Sequence, residues 1–305
     1  MLSNGVNITK HGRRFLLVPG IISLLALGAI IFWGLKAGID LTGGSLLQVT
    51  YTQVRPSVEQ VRTAIQSTAI SDVRIQPTGE TGYILRQRDL TTDEKNALEQ
   101  ALTTLGLIHE DQFNSVGPVI GQELLRKGLI ALALVSVSII LFIAFAFRKV
   151  SKPVASWKYG IIAIITLIHD ILIPIGLFAF LGHWRSAEVD SLFIVALLTL
   201  LGVSINNTIV VFDRIRENLR INQDRNRKED FGETVGHSIS QTLARSINTS
   251  LTVVIVLLAL FFLGPVATKD FALTLIVGMI AGTYSSIFLA SPLLVEVGKM
   301  QSKEK

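Results

Sequence analysis

The chain has 305 residues, half of them hydrophobic and only 17% charged, with a mean hydropathy of +0.53. That balance excludes an ordinary soluble globular protein and points to one embedded in a membrane. The net charge of +5 is no nucleic-acid footprint, because the basic residues cluster in particular loops; with no cysteine, disulfides and thiolate metal sites are excluded as well.

Six apolar runs, at residues 15–35, 128–147, 159–181, 191–212, 247–263 and 271–297, come close to the roughly 17–25 residues that a spanning helix needs. The first follows Lys10, Arg13 and Arg14 in a short N-terminal segment, 1–14. It exceeds the ~7–15-residue core of a cleaved signal, and no A-x-A site follows Leu35, so it is expected to stay as a transmembrane helix.

Residues 36–127 are polar and read as a domain of their own. Residues 45–52 have strand composition, and 57–69 open with Ser57 and carry Val58, Val61 and Ile65 at helical spacing, with Glu59 in the first turn. Residues 73–77 and 81–85 read as strands joined by a turn at Thr78-Gly79-Glu80. A second helix, 91–105, is capped by a Thr91–Glu94 box and has Ala97, Leu98, Ala101, Leu102 and Leu105 on its apolar face; 111–116 supply a last strand. The order βαββαβ is the ferredoxin-like arrangement. It contains no catalytic cluster, and His109 reads as a surface loop residue.

Beyond the second run, a short basic loop with Arg148, Lys149, Lys152 and Lys158 leads to the third. This run carries Asp170, eleven residues after Tyr159 and hence about 16 Å into the bilayer. A carboxyl at that depth serves either as a hydrogen-bonded packing group or in proton coupling. His169 adjoins it, but neighbours on a helix point about 100° apart, so the two are not expected to form a relay or metal pair. The fourth run holds Asn206 and Asn207 and then breaks into charge at Asp213. Asn206 and Asp213 fall near one face, with Asp213 either an anchor at the inner boundary or a coupling group.

Residues 213–246 form a long charged connection: 214–230 are expected as a helix extension followed by a mobile loop. Residues 231–245, with Val235, Ile239 and Leu243 at i, i+4 and i+8, are expected as an amphipathic helix on the inner membrane surface. The fifth run then starts with Arg245, Asn248, Thr249 and Ser250, where Arg245 either snorkels to the interface or crosses to Asp213 or Asn207. The sixth contains Gly278-x-x-x-Gly282, a close-packing signal, and a tail, 298–305, comes last. The basic bias of alternate loops places both termini and 213–246 in the cytoplasm and 36–127 outside. No phosphate loop, HExxH or nucleophile elbow is present, so no enzyme activity, cofactor or resident metal is expected.

Four blocks resemble the SecD/SecF family of protein-export membrane proteins, related to the RND transporter superfamily, and within it the SecF type. Gly38-Ile39-Asp40-Leu41-Thr42-Gly43-Gly44 resembles its G-I-D-F-T-G-G exit from the first span. Val116-Gly117-Pro118 with Gly121, Glu123 and Leu124 resembles its re-entry motif. Residues 206–217 resemble N-D-T-[IV]-V-[IV]-[FY]-D-R-I-R-E, and Gln241-Thr242-Leu243 with Arg245, Thr249 and Ser250, then Tyr284-Ser285-Ser286, resemble the last two spans. The resemblance covers essentially the whole chain. It implies an α+β membrane protein, with six transmembrane helices as half of an RND-type bundle and a ferredoxin-like outer domain. It also implies a complex with SecD and the SecYEG channel, indirectly with SecA and preprotein, in the bacterial inner membrane. There the proton-motive force would promote translocation. The candidate coupling residues are then Asp170, Asn206, Asn207, Asp213 and Arg245; where the family motif has Asp, this chain has Asn207. A proton-driven small-molecule or lipid exporter and a purely structural translocase stabiliser remain the rival readings.

Overall fold

The computed structural model describes residues 12–70, 72–146, 154–227 and 229–303. The expected basic loop residues Arg148, Lys149 and Lys152, the N-terminal Lys10, Lys228 and Lys305 lie outside them, as does the end of the 128–147 run at Phe147. The chain divides into two units, 1–36 with 130–305, and 37–129.

In the smaller unit a short helix α2 (Ile39–Thr42) precedes β1 (Gly44–Tyr51). There follow α3 (Val58–Gln66), β2 (Arg74–Thr78), β3 (Gly82–Gln87), α4 (Thr92–Thr103) and β4 (Ile108–Val116), after α1 (Gly12–Trp33) of the other unit. The four strands form one antiparallel sheet in the order β2-β3-β1-β4, which is the ferredoxin-like topology the sequence order demands. Both helices start on reciprocal capping boxes. Ser57 accepts from Gln60 N at 3.2 Å while Gln60 Oε1 accepts from Ser57 N at 2.7 Å, and Thr91 and Glu94 do the same at 3.3 and 3.0 Å. Alternation along β1 turns Leu47, Val49 and Tyr51 onto Val61, Ile65, Leu98 and Leu102, and that layer is the core of the unit. The last strand begins three residues earlier than expected, so His109 sits on an exposed strand edge rather than in a loop.

Gly43 packs against the chain where it leaves β4. Its φ of +82° is open only to glycine, and a Cβ there would lie 2.5 Å from Pro118 Cα, while one on Gly121 would lie 2.6 Å from Gly43 N. Those contacts explain Gly43 of the exit motif and Gly121 of the re-entry motif.

The larger unit is helical. Helix α5 (Pro118–Ala146) begins ten residues before the expected second span. Next come α6 (Ser156–Arg185), α7 (Ser191–Asp224), α8 (Phe231–Leu263), a 3₁₀ turn (Val266–Thr268), α9 (Lys269–Ser285), a π-helical segment (Ser286–Ala290) and α10 (Ser291–Lys303). Among the described residues, six helical stretches are long and apolar enough to cross a membrane.

The helix extension expected after Asp213 is present: α7 continues to Asp224, and a short connection leads to α8 at Phe231. One sequence expectation is corrected here. Residues 231–245 do not lie apart on the membrane surface. They are the first half of a continuous helix whose Val235 and Ile239 are buried in one cluster with Phe212 and Ile215 of α7 and Leu294 of α10. Its polar flank is used too: Asn218 donates to Ser238 Oγ at 2.8 Å and to Gln241 Oε1 at 2.9 Å, and Arg214 Nε donates to the same Gln241 oxygen at 2.6 Å. A polar ladder between two long helices thus holds a stretch whose composition alone reads as loop and surface helix.

Small residues set the helix spacing. A Cβ at Gly176 of α6 would come within 2.5 Å of Ala26 Cα on α1, and one at Gly282 of α9 within 2.9 Å of Ser204 Oγ on α7. Gly278, one turn earlier, takes the Leu200 side chain. Gly278-x-x-x-Gly282 is therefore the groove into which α7 packs, as its spacing predicts.

Candidate functional site

Asp170 stands midway along α6 with none of its surface exposed, and His169 beside it is 4% exposed. A carboxylate taken out of water is too costly to leave bare, so its partners define the site. There are two among the described residues. The Ser204 hydroxyl of α7 donates to Oδ2 in a very short bond, and His169 Nδ1 lies 3.0 Å from Oδ1. The expectation that His169 and Asp170 diverge is therefore wrong. The Cα–Cβ directions do diverge, but the rotamers fold the imidazole back onto the neighbouring carboxyl. The His169 Nε2 atom is buried without a hydrogen-bond partner.

Around this pair the interior is rich in small hydroxyls. Thr166, Ser285, Ser286 and Ser291 are all buried, and Ser291 Oγ donates to the Ser286 carbonyl at 3.0 Å across the π-helical turn. Most of these hydroxyls bond back to their own helix, as Thr166 does to Ile162 O at 2.8 Å. Ser204 instead spends its proton on Asp170. Sequence reasoning missed Ser204, since nothing in the run distinguishes it from any other small residue on a packed helix.

The other sequence candidates lie elsewhere. Asn207 is buried on α7, while Asn206, Asp213 and Arg245 are exposed. Neither crossing expected for Arg245 is made: Asp213 sits 3.6 Å from Arg216 of its own helix, and Asn207 makes no side-chain hydrogen bond among the described residues. Asn206 and Asn248 each stand fifteen residues, or about 22 Å, from one end of their helix, at Ser191 and Leu263. Arg245 is about 27 Å down on the same count. Their side chains find no partner within the described residues, although α7 and α8 pack side by side. The bundle thus carries a closed polar centre at Asp170 and an open polar face on α7 and α8. Among the described residues no group of three His, Asp or Glu side chains is placed to hold a metal.

Six helical stretches apolar enough to cross a membrane, an antiparallel βαββαβ domain and a buried carboxyl on α6 define a class: multi-pass membrane proteins with a small α+β domain. Residues 97–300 match the family model described as protein export membrane protein SecD/SecF, C-terminal. The chain is 43% identical over 294 residues to the protein translocase subunit SecF of Thermobaculum terrenum, covering 92% of this chain and 88% of that one. It is 34% identical over 304 residues to the subunit of the same name from Synechocystis, covering 94% and 93%. The crystal structure of SecDF from Thermus, described as a translocon-associated membrane protein, superposes with a TM-score of 0.84 at 31% identity; it takes in all of this chain. The chain spans only 40% of that longer chain. It belongs to the SecD/SecF family of protein-export membrane proteins, on the SecF side of it.

Proposed function

We propose that this chain is an accessory subunit of the Sec protein translocase that acts with SecD and uses the proton-motive force to promote preprotein movement across the bacterial inner membrane. In this reading residues 36–127 are periplasmic, both termini and the polar ladder between α7 and α8 are cytoplasmic, and the assembly sits against the SecYEG channel, indirectly with SecA. It has no catalytic role of its own.

The open polar face carries the reading. Lipid offers no hydrogen bonds to Asn206 and Asn248, and an exposed Arg245 a few ångströms from the inner boundary is costly unless it snorkels or is paired. A second bundle laid against α7 and α8 would satisfy all three. Consistent with this, 60% of the longer SecDF chain lies outside the match (100 − 40), which leaves room for such a counterpart. Asn207 cannot exchange a proton near neutral pH, so acid–base work falls to the partner, to Asp170 or to Asp213.

The test is co-purification in mild detergent from cells that also make SecD. SecD should stay with this chain, and Asn206→Leu together with Asn248→Leu should release it. A chain that is monomeric and fully active in export by itself would sink the proposal.

A further inference from the structure

We propose that His169, Asp170 and Ser204 form a proton-holding unit at the centre of the membrane domain, and that its charge state sets how α7 packs against α6 and α9. The proposal deepens the export reading, but only the use of the proton depends on that reading.

The geometry supplies three parts. Asp170 is fully buried, and its two oxygens are shared out between an imidazole at 3.0 Å and a hydroxyl from another helix. With the imidazole's own proton on Nε2 and one more shared between Nδ1 and the carboxyl, the pair is neutral overall whether the shared proton sits on Nδ1 or on the carboxyl. Loss of the shared proton leaves a net negative charge, and a further proton leaves a positive one, each in surroundings that resist net charge. Nε2 is buried with no partner, so its N–H is the end of the pair open to a water that would carry a proton in or out.

Among the described residues, the ionisable side chain nearest this depth on an element packed against α6 is Tyr284, fifteen residues from the start of α9. On the elements packed against α6, helix α1 has none from Phe15 to Trp33, α7 has none from Ser191 to Phe212, and the π-helical segment has none. Helix α9 has Lys269 and Asp270 at its outer start and Tyr284, whose ring stacks on Phe288 at 5.0 Å; α10 has Glu296, Lys299 and Lys303 towards its inner end. On α6 itself Lys158 and Tyr159 lie near the inner end, and His183 and Arg185 near the outer. The side-chain hydrogen-bond partners of Asp170 among the described residues are His169 and Ser204.

Ser204 links proton and packing. Its hydroxyl donates to an ionised Asp170; once Asp170 is protonated and turns its own O–H, that bond must reverse or let go. Ser204 is meanwhile wedged against Gly282, where even a methyl group would come within 2.9 Å of its Oγ. Immediately beyond, the π-helical turn Ser286–Ala290 also packs on α6, and such turns let a helix re-register locally. A proton arriving at His169 and Asp170 therefore acts at a point where α7 is fitted closely against α9 and bonded to α6.

The experiment uses the full chain in lipid nanodiscs with His169 as its only histidine, the others (His11, His109, His183 and His237) being changed to Gln. Nitrogen-15 NMR of the imidazole is followed between about pH 5 and 9. We expect a single change of charge state in that window, with a midpoint moved by about one pH unit or more, a tenfold change in proton affinity, in both Asp170→Asn and Ser204→Ala. An imidazole that keeps one charge state across the window would overturn the proposal, as would a midpoint indifferent to both substitutions. Ser204→Ala keeps the buried charges intact, so the test survives if Asp170→Asn fails to fold. Since neither SecD nor preprotein is present, a chain that titrates but drives no export would overturn the functional reading and leave this one standing.

Discussion

Adding one methyl group at Gly282 should destabilise the membrane domain far more than adding one at Gly202. The two glycines lie on facing helices, but a Cβ at 282 would stand 2.9 Å from Ser204 Oγ, 3.2 Å from its Cβ and 3.4 Å from its Cα, whereas at 202 it would meet nothing within 4 Å. Relief at 282 requires Ser204 to retreat by a few tenths of an ångström, away from the bond it gives to Asp170. Overpacking costs about 1–3 kcal/mol, and a buried acceptor left short of its donor costs about 1–3 more. Since both penalties arise from one displacement and are not additive, Gly282→Ala should lose about 2–4 kcal/mol. Gly202→Ala should be neutral or gain up to about 1 kcal/mol from helix propensity. Reversible unfolding in mixed micelles, titrated with a denaturing detergent and followed by the fluorescence of Trp33, Trp157 and Trp184, reads the difference. Equal stability in the two variants would refute the account of α7 and α9 as a fitted seam.

In the unit 37–129, Gly43→Ala should cost about 1–3 kcal/mol, because φ is +82° and the new Cβ would strike Pro118 backbone at 2.5 Å; Gly79→Ala, at φ +55° with open space around it, should cost about 1 kcal/mol. Loss of amide-exchange protection in 37–129 measures both. The Arg88 guanidinium, with the Thr91 backbone amide, holds the Glu94 carboxyl down at about 2 instead of 4.5. Its folded value is depressed, so its contribution to stability is full above the unfolded value and fades as pH falls from about 4.5 towards 2. An NMR titration should find the Glu94 midpoint near 2, and Arg88→Gln should raise it. At Asn207, replacement by Asp should leave gradient-driven export working, while replacement by Leu should impair it; normal export in Asn207→Leu would reduce this buried amide to packing.

Much of the architecture could be read from residues alone, where the signal is local. Spanning helices declare themselves by length and apolarity, and the βαββαβ domain by capping residues: the Thr91–Glu94 box was legible as a four-residue pattern and is formed as such. The Gly278 and Gly282 groove was legible for the same reason, although not that Leu200 and Ser204 fill it. What stayed hidden depends on a second element. The apolar stripe Val235–Ile239 has the same period whether it lies on lipid or on α7, and only the answering amides of Asn218 and Asn222 decide for the helix. Likewise, Ser204 becomes a partner of Asp170 only because α7 crosses α6 there, and His169 joins them by a rotamer choice that helical spacing does not fix. The open face of Asn206, Asn248 and Arg245 was visible as misplaced polarity, but the counterpart proposed for it would belong to another polypeptide.

The most direct measurement of the central claim is the release of a preprotein from vesicles that contain SecYEG, in the presence and absence of an imposed proton gradient. With this chain and SecD together, release should speed up when the gradient is applied, and Asp170→Asn should remove that gain. With either subunit alone the gradient should make no difference. Gradient-dependent release that persists without this chain, or that is untouched by its removal from the pair, would contradict the account.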